Sequence, residues 1–399
     1  MTFRTRLQRV LASAVMAACL VLSGGSGVFA NGFGDLYVGS AAGVDELRLR
    51  TENLENFLGL TPGPTMLAFR PDGKILYASD GSAQVTRIDI NHIVVDSAVT
   101  LKVPAVALAH PRGTALFIAY QDQKTLGTLQ DGDSTLESGQ TLPGNPDILA
   151  ADRHEARLVA AERGKPWITI IDPVNGKLIT VGKDATGIGG NVTAVAIGRD
   201  EGYAYVATTS PNLVARIDLG TGRVDGSVPL DGAPTAIAAV KGAAVVAVGS
   251  TIFKVAGSRK TSFAVADGQV LALAGSDEGK FAYVATATTV TAFPVADPAA
   301  GPASQVTLPH SRPTVLAPVP ADSSLAAASN GGKGSPGAGG SNGSSNDRSH
   351  VPATDTAGGG PFSLPPGQDL TIVLGAAAVI AVVVLLGSRK LITRLSGQG

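Results

Sequence analysis

Residues 64–90 read PTMLAFRPDGKILYASDGSAQVTRIDI: a short apolar strand, a Pro-Asp-Gly turn, a second apolar strand, and a third that ends in Ile-Asp-Ile. Residues 192–219, VTAVAIGRDEGYAYVATTSPNLVARIDL, repeat the order, and looser copies recur through most of the chain. Apolar runs of four to seven residues between turn signals read as strands. A strand unit returning about every forty residues cannot bury its faces alone, so neighbouring copies must stack into a β-propeller.

Seven copies align on an apolar pair in the first strand: Leu67-Ala68, Leu108-Ala109, Leu149-Ala150, Val195-Ala196, Ile237-Ala238, Leu273-Ala274 and Leu316-Ala317. Second-strand positions follow at Tyr77, Ile118, Val159, Tyr205, Val246, Tyr283 and Ala326. Third strands are expected at Glu46–Arg50, Val85–Ile90, Thr125–Leu129, Ile168–Asp172, Val214–Leu219, Thr251–Val255 and Thr289–Val295. The fold expected is therefore all-β, a seven-bladed propeller over 31–329. Asp35–Leu60 supplies second, third and fourth strands only, and Pro313–Pro318 a first strand, so the two ends complete one blade. Ser324–Ser329 competes with Leu36–Gly39 for the second-strand slot, and eight blades are the alternative. Asn175-Gly176 suits a type I′ hairpin, whose two central residues need positive φ.

Both ends carry address signals. Arg4, Arg6 and Arg9, the apolar Val10–Ser23 and Val28-Phe29-Ala30 make residues 1–30 a secretory signal, with a lipoprotein signal around Cys19 as the alternative. Cys19 is the only cysteine, so the cleaved chain has neither disulfide nor thiolate site. Leu370–Gly387 carries no charge and spans about 27 Å as a helix, enough to cross a bilayer core. Arg389, Lys390 and Arg394 follow it as a cytoplasmic tail (389–399), giving a single-pass protein with a transmembrane helix over 369–388. Residues 330–368 are a Gly/Ser/Pro-rich linker, too poor in apolar residues to fold, with a span of roughly 35 Å. The membrane is thus one expected partner, and an extracytoplasmic protein or polymer the other. A net charge of −1 with 16% charged residues gives no reason to expect nucleic acid.

The units PDGKILYAS, VTRIDI, IDPVNGKLITV, RDEGYAYVATT and ARIDLGTGRVDGSVPL resemble YVTN-type β-propeller repeats, and the chain is more distantly similar to lactonase-like seven-bladed propellers. The resemblance covers about 34–329. It implies a seven-bladed ring and, in many members, an extracytoplasmic location, without implying one activity.

A propeller has two faces on which chemistry can be placed. One face carries second-to-third loops and blade connections; the other carries first-to-second and third-to-fourth turns. His92, His110, His154, His310 and His350 share no metal-like spacing, and no carboxylate is placed with them in sequence. Asp89, Asp172 and Asp218 end equivalent third strands and are expected to cap turns rather than ring a calcium ion. Asp131 to Glu137 lacks the spacing of a calcium loop. No nucleophile elbow or phosphate loop occurs, so no catalytic residue, metal site or cofactor is assigned. The candidates for ligand contact are Asp80, Tyr120, Glu162, Arg163, Trp167, Asn212 and Arg312, together with Asp122, with Trp167 foremost. The function expected is a membrane-anchored, non-enzymatic interaction module. A lactonase-like hydrolase and a structural cell-surface spacer are the alternatives.

Overall fold

A computed structural model describes residues 35–320 except 114, 132, 134–135, 153–155, 183–187, 199–201 and 311. The secretory segment, the 330–368 linker, Leu370–Gly387, the tail, Ser324–Ser329, His154 and His350 lie outside the described residues. Among the described residues no helix is long and apolar enough to cross a membrane.

The described strands form seven four-stranded antiparallel sheets. Blade 2 holds the opening stretch, as Met66–Phe69, Ile75–Ser79, Gln84–Asp89 and Val94–Thr100. Blade 3 is Ala105–Ala109, Leu116–Tyr120, Thr125–Leu129 and Leu136–Thr141. Blade 4 is Ile148–Asp152, Arg157–Ala161, Ile168–Asp172 and Lys177–Val181. Blade 5 is Asn191–Ile197, Tyr203–Thr209, Leu213–Asp218 and Val224–Pro229. Blade 6 is Ala236–Val240, Ala243–Val248, Thr251–Ala256 and Arg259–Val265. Blade 7 is Ala272–Gly275, Phe281–Ala285, Thr289–Pro294 and Ser304–Thr307.

Blade 1 is built from both ends: Val315–Pro318, then Leu36–Ser40, Gly43–Arg48 and Asn53–Gly59. Leu36 pairs with Pro318 and Gly39 with Val315, so the second-strand slot belongs to Leu36–Ser40. The first strands then touch in cyclic order and the ring closes.

The core is divided among the seams. Alternate side chains of a strand point to opposite faces, so Tyr77 turns toward blade 3 while Leu76 and Ala78 turn toward blade 1. Each of the seven apolar clusters joins one blade to the next. Burying each large side chain in such a seam stabilises the ring by about 1.5–3 kcal/mol.

The register corrects three sequence assignments. The alanine of each first-strand pair faces one larger second-strand residue: Tyr37 opposite Ala317, Tyr77 opposite Ala68, Phe117 opposite Ala109, Val159 opposite Ala150, Tyr205 opposite Ala196, Val245 opposite Ala238, Tyr283 opposite Ala274. Phe117 and Val245 thus replace Ile118 and Val246, and Tyr37 replaces Ala326. In blade 3 the cause is a first-to-second turn one residue shorter than that of blade 2: Ala109 pairs with Phe117, whereas Ala68 pairs with Tyr77. In blade 6 the turn between Val240 and Ala243 is shorter, so the same pairing comes sooner in sequence.

The Asn175-Gly176 turn also differs from expectation. Only Gly176 has positive φ, at 67°, and its N–H donates to the Asp172 carbonyl at 2.8 Å. The loop is therefore longer than a two-residue I′ turn. Asp172 organises it, its carboxylate accepting from the Val174 and Asn175 amides and the Asn175 side chain. Asp218 does the same with Thr221, and Asp89 with Asn91 and His92. These bonds head the causes that hold all three carboxyls below the usual range. All three cap turns, as their strand-end positions led us to expect.

Candidate functional site

First strands crowd around the ring axis, which explains the small residue in each apolar pair. They enclose a channel of about 310 Å³ lined by Ala150, Ala196, Ala238 and Ala274, with Asp152, Ser276 and Asp277 at its lower end. Most of its wall is backbone and small apolar side chains.

Variation between blades is concentrated on the upper rim. There, the residue leaving a fourth strand donates its N–H to the second-to-third loop of the same blade: Leu60 to Ala42, Leu101 to Ala83, Leu142 to Lys124, Leu230 to Asn212, Leu308 to Thr288. Two positions further on, the connection passes over the next blade at Pro62, Val103, Gly144, Gly232 and His310. Beneath it runs a column of third-strand residues: Asp45, Thr86, Gly127, Thr169, Ala215, Phe253 and Thr291. The connection and this column form a groove on each blade.

In four blades the chain's own side chains occupy the groove. In blade 1, His310 Nδ1 lies 3.1 Å from Asp45 Oδ1, and its ring stacks on Phe57 at 4.2 Å. Burial raises the Asp45 carboxyl, opposed by the hydrogen bond and charge of His310. In blade 4, the Trp167 ring and the Glu162 carboxylate lie against Gly144, where a Cβ would collide with both. In blade 6, Lys260 crosses the Phe253 ring at 5.0 Å and reaches Asp231 Oδ2 at 2.7 Å. In blade 7, Gln305 Nε2 donates to Asp267 Oδ2 at 3.0 Å.

In blade 3 the Tyr120 ring and hydroxyl cover Gly127, occupying the place where its Cβ would stand. Beside them lies a cavity of about 250 Å³. Burial alone pushes the Tyr120 phenol above its ordinary range. Lys102, Val103, Gln123, Leu136, Glu137 and Ser138 complete the wall. Blade 2 keeps only a hollow of about 100 Å³ around Pro62, Asp80, Gln84 and Thr86.

The contact candidates read from the sequence are distributed around this rim rather than gathered at one point. Asp80 is half-buried; burial opposes ionisation, but the Ser82 hydroxyl and amide bring its carboxyl below the usual range. Glu162 accepts from the Asn145 amide at 3.1 Å. Arg163 is exposed and joins blade 4 to blade 5: its guanidinium donates to the Thr193 carbonyl at 2.6 Å and pairs with Asp147 at 3.6 Å. Trp167, foremost in the sequence reading, is buried at 9% exposure. Asn212 uses its carbonyl to receive Leu230, and exposed Asp122 and Arg312 have φ values of 55° and 65°.

The structure corrects the reading of the histidines. Each of the three described ones stands beside an aspartate distant or near in sequence: His92 with Asp89, His110 with Asp131, His310 with Asp45. His110 is buried between blades 2 and 3, with Nδ1 3.0 Å from the Pro111 carbonyl and Nε2 3.1 Å from Asp131. The Tyr77 hydroxyl donates to the same carboxylate, and its ring stacks on His110 at 5.8 Å. Among the described residues no group of three His, Cys, Asp or Glu could hold a metal ion.

Sequence reasoning missed the blade 3 cavity. Its signal is Gly127 in a column of larger residues, visible only once the shorter first-to-second turn of blade 3 is counted.

No family model matches the chain, and no curated protein matches it. Among solved structures, the chain is similar to the hydrazine synthase of Kuenenia stuttgartiensis, with a TM-score of 0.51, 17% identity, and coverage of 60% of this chain and 78% of that one. It is also similar to the WD40 repeats of RRP9, with a TM-score of 0.52, 14% identity, and coverage of 63% and 83%. At such identities the likeness is one of fold: the chain is an all-β seven-bladed propeller.

Proposed function

We propose that the chain is a YVTN-type propeller that serves as a non-enzymatic binding module, held outside the cytoplasm by Leu370–Gly387 and presenting its upper rim to a protein or polymer of the envelope. The observation that carries this reading is the use to which the rim charges are put. Glu162, Asp147, Arg163, Asp45 and Asp231 each bond to a loop or a neighbouring blade. An active site instead needs titratable groups converging on free space. A propeller with a rim that varies from blade to blade is consistent with recognition of a partner.

Capture of solubilised envelope on the purified full chain tests the binding. Saturable retention of one protein or polymer is expected; metal-dependent turnover of lactones or esters by the same preparation would overturn the reading. Alkaline extraction tests the anchor. The full chain should stay with membranes and a chain ending at 368 should be released; equal behaviour of the two would contradict anchoring by Leu370–Gly387.

A further inference from the structure

Asn175-Gly176 is the one Asn-Gly pair among the described residues, and both residues are exposed, on the face opposite the upper rim. Such a pair carries its own reaction. The Gly176 backbone nitrogen, on giving its proton to solvent base, attacks Asn175 Cγ. A bond forms between that nitrogen and Cγ, the bond from Cγ to Nδ2 breaks, and ammonia leaves a cyclic imide. Water then opens the ring to aspartate or isoaspartate, so the net change is amide plus water to acid plus ammonia. Glycine favours the attack because it brings no side chain to crowd the ring.

Both reacting groups are engaged by one residue. The Gly176 N–H donates to the Asp172 carbonyl at 2.8 Å, and Asn175 Nδ2 donates to Asp172 Oδ2 at 3.0 Å, which draws the side-chain amide back along the chain. Asp172 Oδ1 accepts from the Val174 and Asn175 amides at 3.1 Å each. Blade 5 builds the same turn with Thr221 where blade 4 has Asn175. The Gly222 N–H donates to the Asp218 carbonyl at 2.8 Å, and the Thr221 hydroxyl to Asp218 Oδ1 at 2.8 Å. The turn itself therefore does not require a reactive amide. We propose that Asn175-Gly176 is a self-modification site kept latent by Asp172, whose carboxylate and carbonyl hold the side-chain amide and the backbone nucleophile apart. Conversion would put a second carboxylate where Asp172 Oδ2 now meets a donor, and so release the turn that joins the outer strands of blade 4. The proposal is independent of what the rim binds.

The test is incubation of the full chain in mildly alkaline buffer, with conversion at Asn175 followed by peptide mapping and mass spectrometry that resolves aspartate from isoaspartate. Asp172→Asn keeps an oxygen for the two backbone amides but replaces Oδ2 with a group that cannot accept. It should convert at least about tenfold faster than the native chain, the rate equivalent of one hydrogen bond to a charged group. Asp172→Ala should convert at least as fast as Asp172→Asn. Asn175→Thr, which copies blade 5, should keep the native urea midpoint. Urea midpoints also establish that the Asp172 variants are folded. Should neither fold, the native chain decides alone: it should convert at least about tenfold faster when unfolded in urea than when folded. Equal rates in the native chain and folded Asp172→Asn, or equal rates in the folded and urea-unfolded native chain, would overturn the proposal.

Discussion

Tyr37 lies directly across the sheet from Ala317, the arrangement that Tyr77 makes with Ala68 and Tyr205 with Ala196. A tyrosine near the start of the folded region thereby occupies the second-strand place of a blade whose first strand comes last. Its ring meets Phe69 of blade 2 edge-on at 5.4 Å, so the closing blade joins the same network of seams as the others. Ring closure is the ordinary repeat, divided between the two ends of the chain.

The closing seam has little spare room. A Cβ on Gly39 would stand 2.7 Å from Val315 Cγ1 and 3.1 Å from the Pro64 carbonyl. Gly39→Val is therefore expected to destabilise the ring by about 1–3 kcal/mol through overpacking. The shift in urea midpoint measures it, and an unchanged midpoint would show that Val315–Pro318 does not hold this position.

The seam between blades 2 and 3 depends on a polar contact. Tyr77 and His110 both address Asp131, whose carboxyl burial would raise but which His110, Arg70 and Tyr77 bring below the usual range. Burial, with the Asp131 charge beside it, pushes the Tyr77 phenol up to about 12. Tyr77→Phe should cost about 1 kcal/mol, the net worth of one hydrogen bond. His110→Ala should cost about 2–4 kcal/mol, because it leaves both a void and less satisfied partners. Equal losses for the two variants would contradict this division.

Asp35 responds to pH in the opposite sense from the turn aspartates. Burial raises its pKa to about 6 against the pull of Arg48, and Glu46 and Glu55 add to the rise. The folded state thus binds the extra proton, and stability falls as pH rises from about 4 to about 6, the full cost being present above that. Asp35→Asn is expected to gain about 1–3 kcal/mol at about pH 7.5 and nothing near pH 3.5, as read from denaturant midpoints at both values. An equal gain at both pH values would contradict the assignment. The turn carboxyls of Asp172 and Asp218, with depressed pKa values, lose their contribution as pH falls through the acid range.

Much of the fold was legible because its determinants are local. The apolar pairs recur in all seven blades, and Asp89, Asp172 and Asp218 end the third strands of blades 2, 4 and 5 and perform the same task there. Closure by Asp35–Leu60 and Pro313–Pro318 was legible as well, since neither end held a complete unit. The rim was not. His310 meets Asp45 only because the ring closes, and Trp167 fills a groove whose other wall, Gly144, belongs to a connection between blades. Such pairings depend on the stagger of adjacent sheets, which a repeat count cannot supply. The shorter turn between Ala109 and Phe117 hid the correspondence of Gly127 with Asp45 and Thr86.

The central claim, that the chain is a binding module presenting its upper rim to an envelope partner, is tested most directly by site-specific photo-crosslinking of the full chain in its own cells. A photoreactive phenylalanine analogue would be placed at Ser138 and, separately, at Arg163 on the upper rim, and at Val174, which is 69% exposed on the opposite face. The account predicts one discrete adduct from a rim position and none from 174. Adducts from 174 alone, the same adducts from both faces, or none from any position would contradict it.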